Sequence, residues 1–298
     1  MHASLEITVL AGDAAQADAA FEAVRREVDR LEERLSDYRE HSDISRLNRR
    51  ENVQLAPETR LLLRRAQEIC HETGGAFDIS LRPVKELWRF GGEMTPRVPP
   101  ADSLAALLEH VGCDVYALGP RGAFEWRDPR AQLDLGGIAQ GFVAGCIGDT
   151  LRGRGITRFL INVSGDVFVG GERPGGGPWR VGIQHPRQTD SLLATTPMQW
   201  PAVTTSGDYE QFFVADGVRY HHIFDPATGR PGRRAISVSV FARDALDADA
   251  YATAMFILGP ERGLPILNGN PHLEGLFVVD TPHSLEVHTS DGLRDLVP

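Results

Sequence analysis

The chain is predicted to fold as α+β with largely antiparallel sheet, and two observations predict it. Short β-branched and aromatic runs recur closely between Arg158 and Thr289. A few long helical segments lie before and among them. A chain of 298 residues buries a large core and is read as one domain over 1–298, or as two closely packed lobes.

Leu5 to Leu10 alternates like a strand. Asp13 is placed to cap a helix whose apolar positions, Phe21, Val24, Val28, Leu31 and Leu35, fall at helical spacing. That helix ends near Ser36-Asp37-Tyr38, and Ser42 to Asn48 reads as a short helical turn. A second helix spans about Glu58 to Glu72 and stops at Gly74-Gly75. An aromatic stretch at Trp88 and Phe90, a proline-rich linker from Pro96 to Pro100 and a short helix from Ser103 to His110 follow. Another helix runs from Ile138 to Arg152, and Arg158 to Val163 is a strand. Gly170 to Gly177 reads as a hairpin connection. Strands are expected at Arg180–Gln184, Ala202–Thr205, Phe212–Ala215, Val218–Phe224 and Ile236–Ala242, then a helix near Leu246 to Leu258. Strands at Leu276–Val279 and Leu285–Thr289 close the chain.

A net charge of −10 argues against nucleic acid as the main partner, because neutralising phosphates takes clustered Lys and Arg. Lys85 is the only lysine. No run of eighteen apolar residues suggests a membrane span. The first residues lack a basic stretch followed by an apolar one, so a cytoplasmic location is expected, or export if a leader has been trimmed. The three cysteines, Cys70, Cys113 and Cys146, show no metal spacing and are expected to be buried, reduced thiols.

The most informative segment is His222 to Pro231, where a strand-like run drives into Asp225-Pro226-Ala227-Thr228-Gly229-Arg230-Pro231. Proline and glycine force a tight turn there, and a histidine that can exchange protons near neutral pH precedes it. His221 should face the opposite side from His222. Asp249 and Thr253 lie four apart on a helix, so a carboxylate and a hydroxyl share a face and offer hard oxygens to a divalent cation, although from these residues alone helix capping by Asp247 or Asp249, with Thr253 back-bonded, is the favoured reading. Asp134-Leu135-Gly136-Gly137 opens a helix whose amides suit a phosphate or a carbonyl-rich ring, or is a tightly packed strand-to-helix turn with no ligand. The dinucleotide fingerprint is absent there. Thr204 to Tyr209 offers hydroxyls to phosphate or is a hairpin turn.

In order along the chain, these segments resemble the ApbE family of flavin transferases. The likeness runs through Leu35 to Tyr38, Ser42 to Asn48, Gly75 to Asp78, Leu133 to Gly141, Asn162 to Asp166, Thr205 to Tyr209, His222 to Pro231 and Asp249 to Thr253. It implies two mixed α/β lobes with FAD in a cleft between them. It also implies Mg²⁺-dependent transfer of FMN from FAD to a threonine of an acceptor flavoprotein that presents a short threonine motif, with release of AMP. Residue by residue, it implies catalysis by His222, and metal ligation by Asp249, Thr253 and the Gly137 carbonyl. It implies FAD contacts at Met1, Tyr38, Ala76, Phe77, Asp78, Asp134, Gln140 and Ile223. Gln140 stands where the family usually has lysine or an acid, Gly145 where an aspartate is common, and Ser164 where the first glycine of N-x-G-G-D falls. Two other activities fit the same residues: hydrolysis of FAD to FMN and AMP, and non-catalytic FAD binding.

Overall fold

A computed structural model describes residues 4–90, 94–119 and 123–294. Its backbone is one seven-stranded antiparallel sheet, packed on long helices and flanked by two-stranded hairpins, as the expected α+β class requires. Strand β1 (Leu5–Val9) is followed by α1 (Ala14–Leu35), α2 (Asp43–Asn48) and α3 (Pro57–Glu72). Asp13 and Ser42 cap α1 and α2 through their side chains, and Pro57 pre-sets the first turn of α3. Next come α4 (Arg82–Trp88), α5 (Ala101–Leu108), the hairpin β2 (Tyr116–Leu118) and β3 (Phe124–Trp126), and α6 (Ala139–Gly153). The chain continues through β4 (Phe159–Val163), β5 (Asp166–Gly170), β6 (Arg180–Gln184), β7 (Leu192–Pro197) and β8 (Ala202–Gly207). Two small hairpins follow: β9 (Phe212–Ala215) with β10 (Val218–His221), and β11 (Phe224–Asp225) with β12 (Arg230–Pro231). Then β13 (Ser237–Ala242), α7 (Ala245–Gly269), β14 (Leu273–Asp280) and β15 (Leu285–Thr289) complete the sheet. Its strand order is β1-β4-β5-β8-β13-β14-β15.

The middle of α7 is apolar on all sides because it is buried on all sides, from Ala248 through Leu258 with only Thr253 partly open. Gly259, at φ 69, breaks its helical geometry just past the expected end. The α6–α7 contact is close enough to demand glycine: a Cβ on Gly141 would stand 2.1 Å from the Ala245 carbonyl oxygen. A second cluster joins Trp88, Phe90, Leu104 and Phe224. In it Trp88 lies 5.4 Å from the Tyr220 ring and 5.6 Å from that of Phe224, and its indole N–H donates to the Gly229 carbonyl at 2.8 Å. This cluster ties α4 to the turn that follows His222.

Four expectations are corrected. Gly170 to Gly177 is a crossover, because β5 pairs with β4 and β8 whereas β6 pairs with β7 in another sheet. Gly175, Gly176 and Gly177 all take positive φ in that connection. The run Val218–Phe224 is broken after His221, since the Ile223 amide donates to His221 Nδ1 instead of a neighbouring strand. Thr204 to Gly207 is interior strand, not a turn. Cys70 and Cys113 form a disulfide, with Cα atoms 5.6 Å apart, although Cys146 is free as expected. Burial pushes the Cys146 thiol up to about 12.

The bridge closes a loop across 43 positions and ties the end of α3 to the segment before β2. Reduction, or Cys70→Ser with Cys113→Ser, is expected to lower unfolding free energy by about 2–4 kcal/mol. Denaturant titration with and without reductant measures this, and coincident curves would contradict it.

Candidate active site

The site begins where two loops run side by side. The Asp134 amide donates to the Ile79 carbonyl at 2.7 Å, so the Gly75–Asp78 segment lies beside the strand-to-helix turn at Gly136-Gly137. Gly74 and Gly75, both at positive φ, end α3 and turn the chain there. Ala76 and Phe77 are buried, and the Phe77 ring reaches to 3.4 Å from the Cβ position of Gly137. The Asp78 carboxylate is turned into its own loop and accepts from the Ser80 amide and hydroxyl at 2.8 and 2.6 Å. Burial pushes its carboxyl up, against those two bonds.

Helix α7 supplies the facing wall. Asp249 Oδ2 accepts the Gly141 amide at 2.9 Å, so this carboxylate caps α6 from a different helix while Asp244 caps α7 itself. One turn on, Thr253 Oγ1 lies 3.2 Å from the Cβ position of Gly137. The glycine turn is thus pressed against Thr253, and the first turn of α6 against Asp249. Burial raises the Asp249 carboxyl to about 7, opposed by the amides of Gly141 and Gln140. Asp166, at the start of β5, is raised well above its ordinary range by burial first and by Asp249 second, and it accepts from Thr204 and Thr205. Two buried carboxylates repelling each other are what a divalent cation would relieve. The donor set, carboxylate, hydroxyl and backbone carbonyl, is all hard oxygen and fits Mg²⁺ with phosphate and water completing its shell. Among the described residues no three His, Cys, Asp or Glu side chains cluster as a metal cage, consistent with so open a ligand set.

His222 follows β10 with its amide and Nδ1 both directed at the Gln211 carbonyl, at 3.1 and 3.3 Å. Donation from Nδ1 leaves the Nε2 lone pair as the acceptor. Burial lowers its pKa to about 4, with the Gln211 bond opposing and Lys85 adding to the shift. It is therefore a neutral base at pH 7. His221 ends β10 and His222 lies outside it, so the expected alternation across a strand does not apply; His221 Nε2 is 2.8 Å from the Gly232 carbonyl.

Lys85 and Asp134 complete the site as an ion pair at 2.6 Å. Burial would push the Asp134 carboxyl up, but Lys85 overrides it and the group is lowered. Asp37 lies beside this pair, raised by burial and by Asp134, and its carboxylate accepts from Arg82 at 3.0 Å. Tyr38 is 62% exposed and near enough to Lys85 to act on its charge. Gln140 is half-buried in the first turn of α6, and Ile223 is buried beside His222. Met1 lies outside the described residues. The structure thus gathers Phe77, Asp134, Gly137 and Thr253 around one turn, sets Asp249 against the first turn of the helix that follows, and places His222 within electrostatic reach of Asp134. Lys85, Asp166 and Asp37 were given no site role from the sequence, although Lys85 stood out as the sole lysine and Asp37 and Asp166 lie in segments that carry the family likeness.

Residues 1–277 match the ApbE family. The chain belongs to the ApbE family. Among its relatives, the FAD:protein FMN transferase of Vibrio cholerae is 32% identical over 91% of this chain and 84% of its own length. That of Treponema pallidum is 34% identical over 95% and 83%. Among solved structures, the flavin transferase ApbE from Vibrio cholerae superposes with a TM-score of 0.90 at 28% identity, covering 100% of this chain and 96% of that one. The ApbE protein from Thermotoga maritima gives a TM-score of 0.88 at 29% identity over 99% and 96%. The mixed α/β architecture and antiparallel sheet are therefore those of the ApbE fold.

Proposed function

We propose that this ApbE-family flavin transferase moves the FMN half of FAD onto a threonine hydroxyl of an acceptor flavoprotein, with Mg²⁺ as cofactor and AMP as leaving group. The observation that carries this reading is the placement of Asp249 on the Gly141 amide and of Thr253 against Gly137, along the stretch that opens α6, together with a neutral His222 whose Nε2 is free to accept. Asp249, Thr253 and the Gly137 carbonyl would hold the ion. When bound, it supplies charge neutralisation to the diphosphate. The protein's own groups do the rest. Phe77 and the glycine turn shape a wall for FAD, with Tyr38, Ala76, Asp78, Asp134, Gln140 and Ile223 as further contacts. His222 Nε2 takes the proton of the attacking hydroxyl as the new O–P bond forms and the bond to the AMP oxygen breaks. Water at the hydroxyl's place would give FMN and AMP instead.

The test incubates the protein with FAD, Mg²⁺ and a candidate acceptor. An acceptor mass gain of one FMN, with equimolar AMP, is expected only when all three are present. Free FMN and AMP at the same rate without acceptor would identify a pyrophosphatase, and bound FAD that persists unchanged would identify a binding protein. For the compartment, the Cys70–Cys113 disulfide favours an oxidising, exported setting over the cytoplasm. Alkylation of Cys70 in protein taken directly from its host cells would reverse that preference.

A further inference from the structure

The first turn of α6 carries no charged residue, so the helix start facing the oxygen pair has only backbone amides to offer an anion. A fixed cation arrives from elsewhere. Lys85, on α4, has its ammonium 2.6 Å from Asp134 Oδ2 and 3.6 Å from the Cβ position of Gly136. The next residue, Gly137, has Thr253 Oγ1 at 3.2 Å from its own Cβ position. Consecutive Cα atoms are ~3.8 Å apart, so ammonium and metal-binding hydroxyl stand on one short turn. Asp134 is itself committed, since its Oδ1 accepts the Gly136 amide at 2.6 Å. An ammonium has three N–H donors, and Asp134 is its one hydrogen-bond partner among the described residues.

The placement is rigid. Trp88, one turn further along α4, is fully buried and bonded to Gly229 in the turn that follows His222. The Lys85–Asp134 pair also acts on His222 electrostatically.

We propose that Lys85 is the site's fixed cation for the diphosphate of FAD: one N–H holds Asp134, and the others bind phosphate oxygens beside the metal position. The proposal rests on the reading that the Gly136-Gly137 turn faces FAD. In a chain with 30 arginines, a lysine at this point is a compact charge that fits beside a glycine where a planar guanidinium would need more room.

Because Lys85 is the only lysine, protein grown on ¹³C-lysine gives a single ε-methylene resonance. FAD is titrated while flavin fluorescence reports binding independently, and ADP and riboflavin are titrated in parallel. FAD and ADP should both move the resonance, with FAD giving the same dissociation constant by both readouts. Lys85→Gln should weaken FAD binding about tenfold or more, the size of one charge-assisted hydrogen bond, and Lys85→Arg, which keeps the charge but needs more room, should recover only part of it. FAD that binds by fluorescence while the resonance stays fixed would overturn the role of Lys85 and leave the FAD site standing. Movement with riboflavin but not ADP would overturn the assignment to phosphate. Absence of FAD binding by wild-type protein would overturn the underlying reading and the proposal together. The resonance is read on wild-type protein, so the outcome does not depend on either variant folding.

Discussion

His222→Ala is expected to slow FMN transfer about 10²–10⁴-fold, the usual worth of a positioned general base, while FAD still binds. The imidazole is prepared for that role by its surroundings rather than by its intrinsic pKa. The Gln211 carbonyl fixes the tautomer, and burial lowers the pKa to about 4, so Nε2 is unprotonated throughout the physiological range. The linkage has a definite sign. A histidine whose folded pKa lies below its unfolded value near 6.5 contributes stability above pH ~6.5 that is lost as pH falls toward its folded pKa. The wild-type chain should therefore lose stability relative to His222→Ala between pH about 6.5 and about 4. At saturating Mg²⁺ the transfer rate should show no break near pH 6.5. Single-turnover rates across pH 5–8 check the catalytic part, and urea titrations of both proteins check the linkage. Transfer by His222→Ala at the wild-type rate would remove the histidine from the mechanism.

Much of this arrangement was legible because its signals are local. Asp225-Pro226 and Gly229 specify a turn whatever surrounds them, and the Asp225 side chain and carbonyl do close it on Ala227, Thr228 and Gly229. Asp249 and Thr253 share a face because four residues make about one helical turn. What was not legible depends on partners far away in sequence. The Asp249 carboxylate caps α6 across 108 positions, and no pattern around Asp249 encodes that. Cys70 meets Cys113 because α3 and the segment before β2 are packed side by side, a distance that spacing alone does not fix. Helix α4 has only seven residues, too few to show a period, so Lys85 could not be aimed at Asp134 in advance. The residues of β5 do not say which strand is its neighbour, hence the hairpin expected where a crossover lies.

Asp249→Asn is expected to raise the Mg²⁺ concentration needed for half-maximal transfer a hundredfold or more, about 3 kcal/mol at ~1.4 kcal/mol per decade. The amide keeps an oxygen to accept from Gly141, so the α6 cap and the fold should survive while the charge that draws the cation is lost. In the wild type the same charge depends on pH. With the Asp249 carboxyl raised to about 7 and coupled to Asp166, a cation must displace a shared proton to bind below that pH. Apparent Mg²⁺ affinity should therefore climb about tenfold per pH unit below 7 and level off above it. Asp249→Asn should flatten that dependence. Stability of the metal-free protein runs the opposite way. A carboxyl whose folded pKa exceeds its unfolded value contributes stability that is full below pH ~4 and is lost as pH rises through its folded pKa. The wild-type protein should thus lose stability relative to Asp249→Asn as pH rises from about 4 to about 7, and Mg²⁺ should restore more of it at pH 8 than at pH 6. Transfer rates titrated with Mg²⁺ from pH 5 to 8 read the affinity changes, and thermal unfolding of both proteins from pH 4 to 8, with Mg²⁺ and with chelator, reads the stability changes. An unchanged Mg²⁺ requirement in Asp249→Asn would move the cation away from α7.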